Sequence, residues 1–140
     1  VKWACLDFDD NGEGDPRDLQ DAAMLARMAL EDFGLPTSIE ASGGQGWRCH
    51  LWAFFDGLVP AIKARVLLEA ALKEAGLSNH RFIERFPKQS QALNGYGNLV
   101  KLPFGVHRKT GKRSQFLDPT TLEPIADVGC PGPRDAHRSC

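Results

Sequence analysis

The amino-acid sequence predicts an α+β fold, and three observations carry that prediction. Short apolar or alternating segments that are typical of β-strands recur along the chain. Two longer segments with apolar residues near helical spacing, 16–33 and 61–75, separate the strands. A proline opens each of these segments and a glycine follows each, as is common at helix ends. With 140 residues, 42% hydrophobic and 25% charged, the composition is that of one ordinary globular domain.

Each element has its own local signal. The predicted order is strand 2–9, helix 16–33, strand 37–41, strand 48–55, helix 61–75 and strand 81–86. The first helix begins at Pro16 with Asp15 as its N-cap, and Gly34 ends it. The glycine-rich turn 42–46 joins the two middle strands, so we expect them to form an antiparallel hairpin.

This order of elements is the ferredoxin-like, or RRM-like, βαββαβ pattern. It predicts an antiparallel sheet with both helices on one face and the other face open for a ligand. Two extended segments, 99–104 and 114–118, flank the turn 109–112 and predict a β-hairpin extension. We therefore expect residues 1–118 to form the core domain and the Pro- and Gly-containing residues 119–140 to form an irregular tail.

The net charge of −1 conceals a marked asymmetry along the chain. Residues 1–58 carry a net charge of −7 and residues 59–140 a net charge of +6. Residues 101–113, called the basic segment below, hold five basic residues and no acid. This division suggests a metal-binding pole facing an anion-binding pole, and a solvated surface of uneven charge is the alternative.

An acid pair ends the first strand. Strand side chains alternate, so Asp7 and Asp9 point to one face and Phe8 to the other. Two converging carboxylates can bind Mg²⁺ or Mn²⁺, and solvated acids at a strand end are the alternative. Asp118 closes a later strand in the same way and would complete a two-metal site; as the residue before Pro119, it can equally begin a turn.

The glycine-rich turn and the basic segment are candidates for binding phosphate. Glycines allow backbone N–H groups to approach a phosphate closely, Ser42 offers a hydroxyl and His50 offers an imidazole in the next strand. A structural histidine after an ordinary hairpin turn is the alternative. The basic segment suits a nucleic-acid backbone or a triphosphate, and its alternative is a solvated turn.

Cysteine usage bears on location and on metals. Four cysteines are too few for a disulfide framework, so we expect a reducing, cytoplasmic location with Cys5 and Cys49 as buried thiols. Cys130, His137 and Cys140 do not have the spacing of a standard zinc finger, and a tail with free thiols is favoured over a zinc site. The apolar runs are too short for a membrane helix, so no membrane partner is expected.

Taken together, these motifs resemble the catalytic core of archaeo-eukaryotic primases, the primase-polymerase superfamily. The greatest similarity is to the primase domain of bacterial conflict systems and to CRISPR-associated primase-polymerases. The resemblance covers residues 2–118, and its most specific phrases are FPKQ at 86–89 and GNLVKLP at 97–103. The family's motifs fall here on Asp7 and Asp9, on Ser42 and His50, and on Asp118.

The resemblance implies template-directed nucleotidyl transfer, in which DNA or RNA primers are synthesised and extended. Its cofactor would be Mg²⁺ or Mn²⁺, and its partners would be nucleoside triphosphates and a DNA or RNA template-primer. Two ions held by Asp7, Asp9 and Asp118 would activate a 3′-hydroxyl and stabilise the leaving pyrophosphate. The expected nucleotide-binding residues are Ser42, His50, Lys101, His107 and Arg108, of which the last three are assigned from charge and position.

Two alternatives from other classes stay open. Another palm-like metal enzyme, such as a nucleotide cyclase or a nuclease, would share the acids but not the phrases at 86–89 and 97–103. A non-catalytic RRM-like nucleic-acid-binding module would stack bases on strand aromatics such as Trp52 and Phe54. That module would depend on neither Asp7 nor a divalent metal.

Overall fold

The structure, a computed structural model, describes residues 1–89 and 100–126. The elements in chain order are β1 (Trp3–Phe8), α1 (Pro16–Asp32), β2 (Thr37–Ala41), β3 (Cys49–Phe54), α2 (Ala61–Glu74), β4 (Ile83–Phe86) and β5 (Gln115–Leu117). The predicted α+β class is confirmed. Within the described residues it consists of a five-stranded antiparallel sheet and two helices.

Both helices have ends that the local sequence explains. The Asp15 side chain accepts a hydrogen bond of 2.9 Å from the Arg17 amide, and Pro16 occupies the first turn of α1. Gly34 and Gly76 follow α1 and α2 with φ of +79° and +72°, a left-handed conformation that glycine adopts without a steric penalty. Over the described ranges, neither helix is both long enough and apolar enough to cross a membrane.

The strands lie in the order β4-β1-β3-β2-β5, with every neighbouring pair antiparallel. In this register Asp7 of β1 is opposite His50 of β3 on one side and Glu84 of β4 on the other. His50 is in turn opposite Glu40 of β2. The register therefore places four polar residues in one row across the sheet.

Strand alternation divides the sheet into a helix-covered face and an open face. Leu6 and Phe8 of β1 point to the helices, and residues of both α1 and α2 pack with them in one core. The two helices also contact each other, so they cover the same face. Cys5 points the other way and packs in a small cluster with Trp52 and Phe86. Asp7 and His50 share the alternation of Cys5 and Trp52, so the row of polar residues also lies on this open face.

The predicted β-hairpin extension differs from the structure. β5 pairs with the edge of β2, and among the described residues it does not pair with 100–104. Residues 100–104 form no strand, and the isolated bridge between Val106 and Arg113 lies in the connection between the two predicted arms. Pro103 has no N–H to donate to a ladder, whereas β2 offers a complete row of edge groups. These edge groups account for the position of β5.

The chain turns back after β5. Leu117 and Pro124 form an isolated antiparallel bridge, so residues 119–126 lie along the end of β5. Cys130, His137 and Cys140, for which a tail with free thiols is favoured over a zinc site, lie outside the described residues. The start of the GNLVKLP phrase, residues 97–99, also lies outside them.

Candidate active site

Asp7 and Asp9 stand at the end of β1, with side chains that are 22% and 32% exposed. Burial raises the pKa of Asp7 above its usual value, and the carboxylates of Asp9 and Glu84 raise it further, against the lowering effect of His50. Asp7, Asp9 and Glu84 are called the acid corner below. Like charges crowded around Asp7 create the electrostatic setting that a divalent cation relieves.

Glu84 is the member of the acid corner that the sequence analysis missed. It lies directly opposite Asp7 on the open face, and its exposed carboxylate is 3.0 Å from the Lys88 ammonium. In the sequence it stands between Ile83 and Arg85 without any recognisable motif. Strand alternation is the only sequence signal for its position: Glu84 and Phe86 are two residues apart, so both side chains point to the same face of the sheet.

Asp118 does not lie at the acid corner. It follows β5, which β3 and β2 separate from β1, so three strand spacings place it about 14 Å away. Its carboxylate accepts hydrogen bonds of 3.0 and 2.8 Å from the amides of Thr121 and Thr120, and these bonds lower its pKa. In this structure Asp118, the residue before Pro119, therefore begins the turn that continues to Thr121.

Two side chains that can carry positive charge face the acid pair. Arg48 Nε lies 3.1 Å from Asp9 Oδ1, without hydrogen-bond alignment, and His50 Nε2 lies 3.7 Å from Asp7 Oδ1. Asp9 also accepts a hydrogen bond of 2.7 Å from the Asn11 amide.

In residues 1–89 and 100–126, no three His, Cys, Asp or Glu side chains form a ready-made metal site. The oxygen donors of the acid corner nevertheless suit a hard divalent cation.

Glu40 contacts the His50 ring on the side opposite to Asp7. The imidazole Nδ1 lies 3.1 Å from Glu40 Oε2, and the Trp52 indole N–H donates to the same oxygen at 2.8 Å. The Phe104 amide donates to the other oxygen at 3.2 Å. Burial raises the pKa of Glu40, but the His50 imidazole, the buried Ser114 hydroxyl and the Trp52 indole outweigh it and leave the pKa below its usual value. Glu40 is therefore a buried carboxylate that is ionised at neutral pH.

The glycine-rich turn packs directly against the basic segment. Gly43 has a φ of +76°, and a Cβ there would lie 3.0 Å from a carbonyl oxygen of the basic segment. Thr110 Oγ1 donates a hydrogen bond of 2.6 Å to the Gly43 carbonyl, and Lys101 Nζ donates to the Ser42 carbonyl. The structure therefore brings the predicted residues Ser42 and Lys101 together, through the main chain of Ser42.

A cavity of about 320 Å³ lies between the turn and the basic segment. It is lined by Gln45, Arg48, His107, Arg108, Lys109 and Thr110. His107 Nδ1 lies 3.3 Å from the Thr110 amide, which holds the ring within the turn, and Arg108 is exposed. Because Arg48 contacts Asp9 as well as this cavity, the cationic cavity adjoins the acid corner.

This combination of fold, acids, histidine and cations indicates an archaeo-eukaryotic primase domain. The model of one family, described as the archaeo-eukaryotic primase domain of the TOTE conflict system, matches residues 1–129. The chain belongs to that family, which confirms the resemblance drawn from the motifs. A comparison with curated proteins gives no match. At the level of the superfamily, membership points to a nucleotidyltransferase-type enzyme.

Proposed function

We propose that this chain catalyses template-directed nucleotidyl transfer, synthesising or extending DNA or RNA primers from nucleoside triphosphates by a two-metal mechanism. The observation that carries the proposal is that the acid corner adjoins His50 and the cationic cavity on the open face. Family membership supports the same chemistry at the level of the superfamily. The strand order β4-β1-β3-β2 supports a ferredoxin-like catalytic core within residues 1–118.

The acid corner is the proposed metal site. Asp7, Asp9 and Glu84 offer the carboxylate oxygens that Mg²⁺ and Mn²⁺ prefer. When bound, such ions supply the positive charge that activates a 3′-hydroxyl and stabilises the departing pyrophosphate. Asp118, which the motif resemblance added to this set, is replaced in the proposal by Glu84, because Asp118 begins a turn beyond β2.

The remaining residues of the site would bind the nucleotide. His50 directs Nε2 toward Asp7 and can donate a hydrogen bond from it to a phosphate oxygen when the ring is protonated. Ser42 and Lys101 lie where the glycine-rich turn meets the basic segment, and His107 and Arg108 line the cationic cavity. These positive charges would hold the triphosphate or the template backbone.

The proposed location is the cytoplasm. Within residues 1–89 and 100–126, Cys5 and Cys49 form no disulfide, and they lie on opposite faces of the sheet, in different packing clusters. Burial raises the pKa of both thiols well above the usual value, so they are poorly reactive. Buried, unpaired thiols are typical of proteins from reducing compartments.

A primer-extension assay tests the proposal. The 140-residue chain is incubated with a labelled template-primer and either ribo- or deoxyribonucleoside triphosphates, in Mg²⁺, Mn²⁺ or a chelator. We expect extension that requires both metal and template, and a loss of at least about a hundredfold in Asp7→Asn and Asp9→Asn. The matched control is Asp56→Asn, which changes an exposed carboxylate just after β3 and should retain the parent rate.

Product analysis separates the alternatives. A cyclic nucleotide or a cleaved strand would replace the proposal with another palm-like metal enzyme. Metal-independent binding of a single strand, with no product and no effect of Asp7→Asn, would indicate a non-catalytic RRM-like module. Extension that survives both aspartate substitutions would refute the two-metal assignment.

A further inference from the structure

Glu40 is a fully buried carboxylate on the face of the sheet that the helices leave open. Burying an ionised group is costly unless hydrogen bonds compensate for the lost water, and apolar residues usually pack such a position at lower cost. Here the carboxylate meets three donors, from His50, Trp52 and Phe104. Packing alone does not account for a charge at this position, so its role lies in the groups that it holds.

The first of these groups is the His50 imidazole. An ionised carboxylate can only accept hydrogen bonds, so Nδ1, at 3.1 Å from Glu40, must carry the proton. The other nitrogen, Nε2, then remains for contacts on the side of Asp7, 3.7 Å away. A carboxylate behind a functional histidine commonly fixes the tautomer and the ring orientation in this way.

The second group is the main chain of the basic segment. The Phe104 amide donates to Glu40 Oε1, and Phe104 has a φ of +64°, which is uncommon for a residue with a side chain. A backbone in that conformation needs surrounding contacts to hold it. Because one carboxylate contacts both Phe104 and His50, it sets the position of the basic segment relative to the histidine.

We propose that Glu40 is a positioning residue, which orients the His50 ring toward the acid corner and anchors the basic segment beside it. The identity of the ligand that His50 meets, a triphosphate, rests on the proposed function. The orientation of the ring and the position of the segment are properties of the protein without ligand. They can therefore be measured separately from activity.

The first test is the tautomer of His50 in the metal-free chain, read from long-range ¹H–¹⁵N correlation spectra. We expect the neutral ring to carry its proton on Nδ1, and the His50→Ala spectrum assigns the signals. In Glu40→Gln the side-chain amide has one acceptor oxygen for three facing donors, so we expect a large shift toward the Nε2-protonated form. Trp52→Phe is the control, because it removes a different donor and keeps the Glu40–His50 contact. It should leave the tautomer unchanged.

The second test is a double-mutant cycle on the binding of a non-hydrolysable nucleoside triphosphate in the presence of Mn²⁺. When His50 is present, Glu40→Gln should weaken triphosphate binding about tenfold, by analogy with carboxylates that hydrogen-bond to and orient a metal-binding histidine. In the His50→Ala background the same substitution should change the affinity less than about twofold, because Glu40 then has no histidine to orient.

Three outcomes would overturn the proposal. The first is an Nε2-protonated ring in the parent, which needs no variant to fold. The second is an unchanged tautomer in Glu40→Gln, and the third is an equal loss of affinity in both backgrounds, which would indicate a purely structural role. A parent chain that binds no triphosphate would refute the proposed function instead, while the tautomer of His50 would still decide the role of Glu40.

Discussion

Asp7 of β1 and Glu84 of β4 stand directly opposite each other on the open face, as two like charges on neighbouring strands. Such a pair destabilises a sheet by about 0.2–1 kcal/mol. Burial of Asp7 adds to this cost, and the pKa of Asp7 is raised accordingly. In residues 1–89 and 100–126, the main apolar core lies on the other face of the sheet and includes neither acid, so it does not offset this repulsion. Unfavourable electrostatics of this kind concentrate at functional sites.

Asp7→Asn is predicted to stabilise the metal-free protein. Because the pKa of Asp7 is raised, the fold favours its neutral form, and the charged form present at neutral pH opposes folding. Removing that charge should raise the free energy of unfolding by up to about 1 kcal/mol, and Tm by up to about 4 °C. Thermal unfolding in a chelator at pH 7 measures the change.

Two further results complete this prediction. The gain in stability should shrink as the pH falls through the pKa of Asp7, because the parent is then neutral at this position as well. Mn²⁺ should raise the Tm of the parent more than that of the variant. A variant that is less stable than the parent in chelator would contradict the prediction.

Glu84→Gln is predicted to lower the rate of primer extension, whereas Asp118→Asn is predicted to leave it close to the parent value. Glu84 is opposite Asp7, and Asp118 lies beyond β2 with its carboxylate bonded to a turn. We expect a loss of at least about tenfold for Glu84→Gln at saturating Mn²⁺. The reverse ranking of the two variants would return the third ligand position to Asp118.

Arg48→Met is predicted to strengthen metal binding and weaken triphosphate binding. Arg48 forms an ion pair with Asp9 and lines the cationic cavity, so its charge competes with one ligand and attracts the other. We expect the affinity for Mn²⁺ to rise about fivefold and that for a triphosphate to fall by a similar factor. Calorimetric titrations measure both. The exposed Arg17, paired with Asp15, supplies the control Arg17→Met, for which neither affinity should change.

The stability of the chain in acid should depend on Glu40. Burial raises its pKa, but hydrogen bonds to the ionised form outweigh this effect, so the pKa in the fold lies below the usual value of 4.5. Ionised Glu40 therefore stabilises the fold, fully above pH about 4.5 and progressively less as the pH falls through the folded pKa. Glu40→Gln should lose about 1–3 kcal/mol at neutral pH.

Denaturant titrations from neutral to acid pH check this dependence. The difference in free energy of unfolding between parent and Glu40→Gln should be constant at neutral pH and should narrow in acid. A difference that stays the same at every pH would mean that the charge of Glu40 does not contribute to stability.

The basic segment is predicted to set the salt dependence of nucleic-acid binding. Arg108 and Lys109 are exposed at the cationic cavity, and each phosphate contact adds about 0.7 to the slope of log K against log salt for a single strand. The double substitution Arg108→Gln, Lys109→Gln should therefore lower the slope by about 1.4. Fluorescence anisotropy with a labelled oligonucleotide measures it. Lys63→Gln, on α2 and the other face, serves as the control, and equal slopes in all three chains would contradict the prediction.

Features that depend on local sequence could be predicted well. Alternation within β1 places Asp7 away from the core, and alternation within β3 does the same for His50. Proline, the Asp15 cap and the glycines mark the helix ends, because caps act over only a few residues. Each of these signals lies within one turn or one strand, so it can be recognised from a short stretch of sequence.

The positions of Asp118, Glu84 and Phe104 could not be predicted in the same way. Asp118 and Asp9 have the same local setting, an acid at the end of a strand, but β5 joins the outer edge of the sheet. Glu84 has no local motif, and only the pairing of β4 with β1 brings it beside Asp7. The hydrogen bond from Phe104 to Glu40 likewise joins distant parts of the chain. Edge selection depends on the free energy of the whole sheet, which no short segment encodes.

The alternation of the central strands limits how this chain can change in length. Asp7 stands between the core residues Leu6 and Phe8, and His50 has core neighbours on both sides. Deleting a single residue within either strand would exchange the two faces from that point on, which would drive a charge into the core and expose an apolar side chain. Length variation is therefore confined to loops such as 42–46, because a length change within these strands would disrupt the core and the open face together.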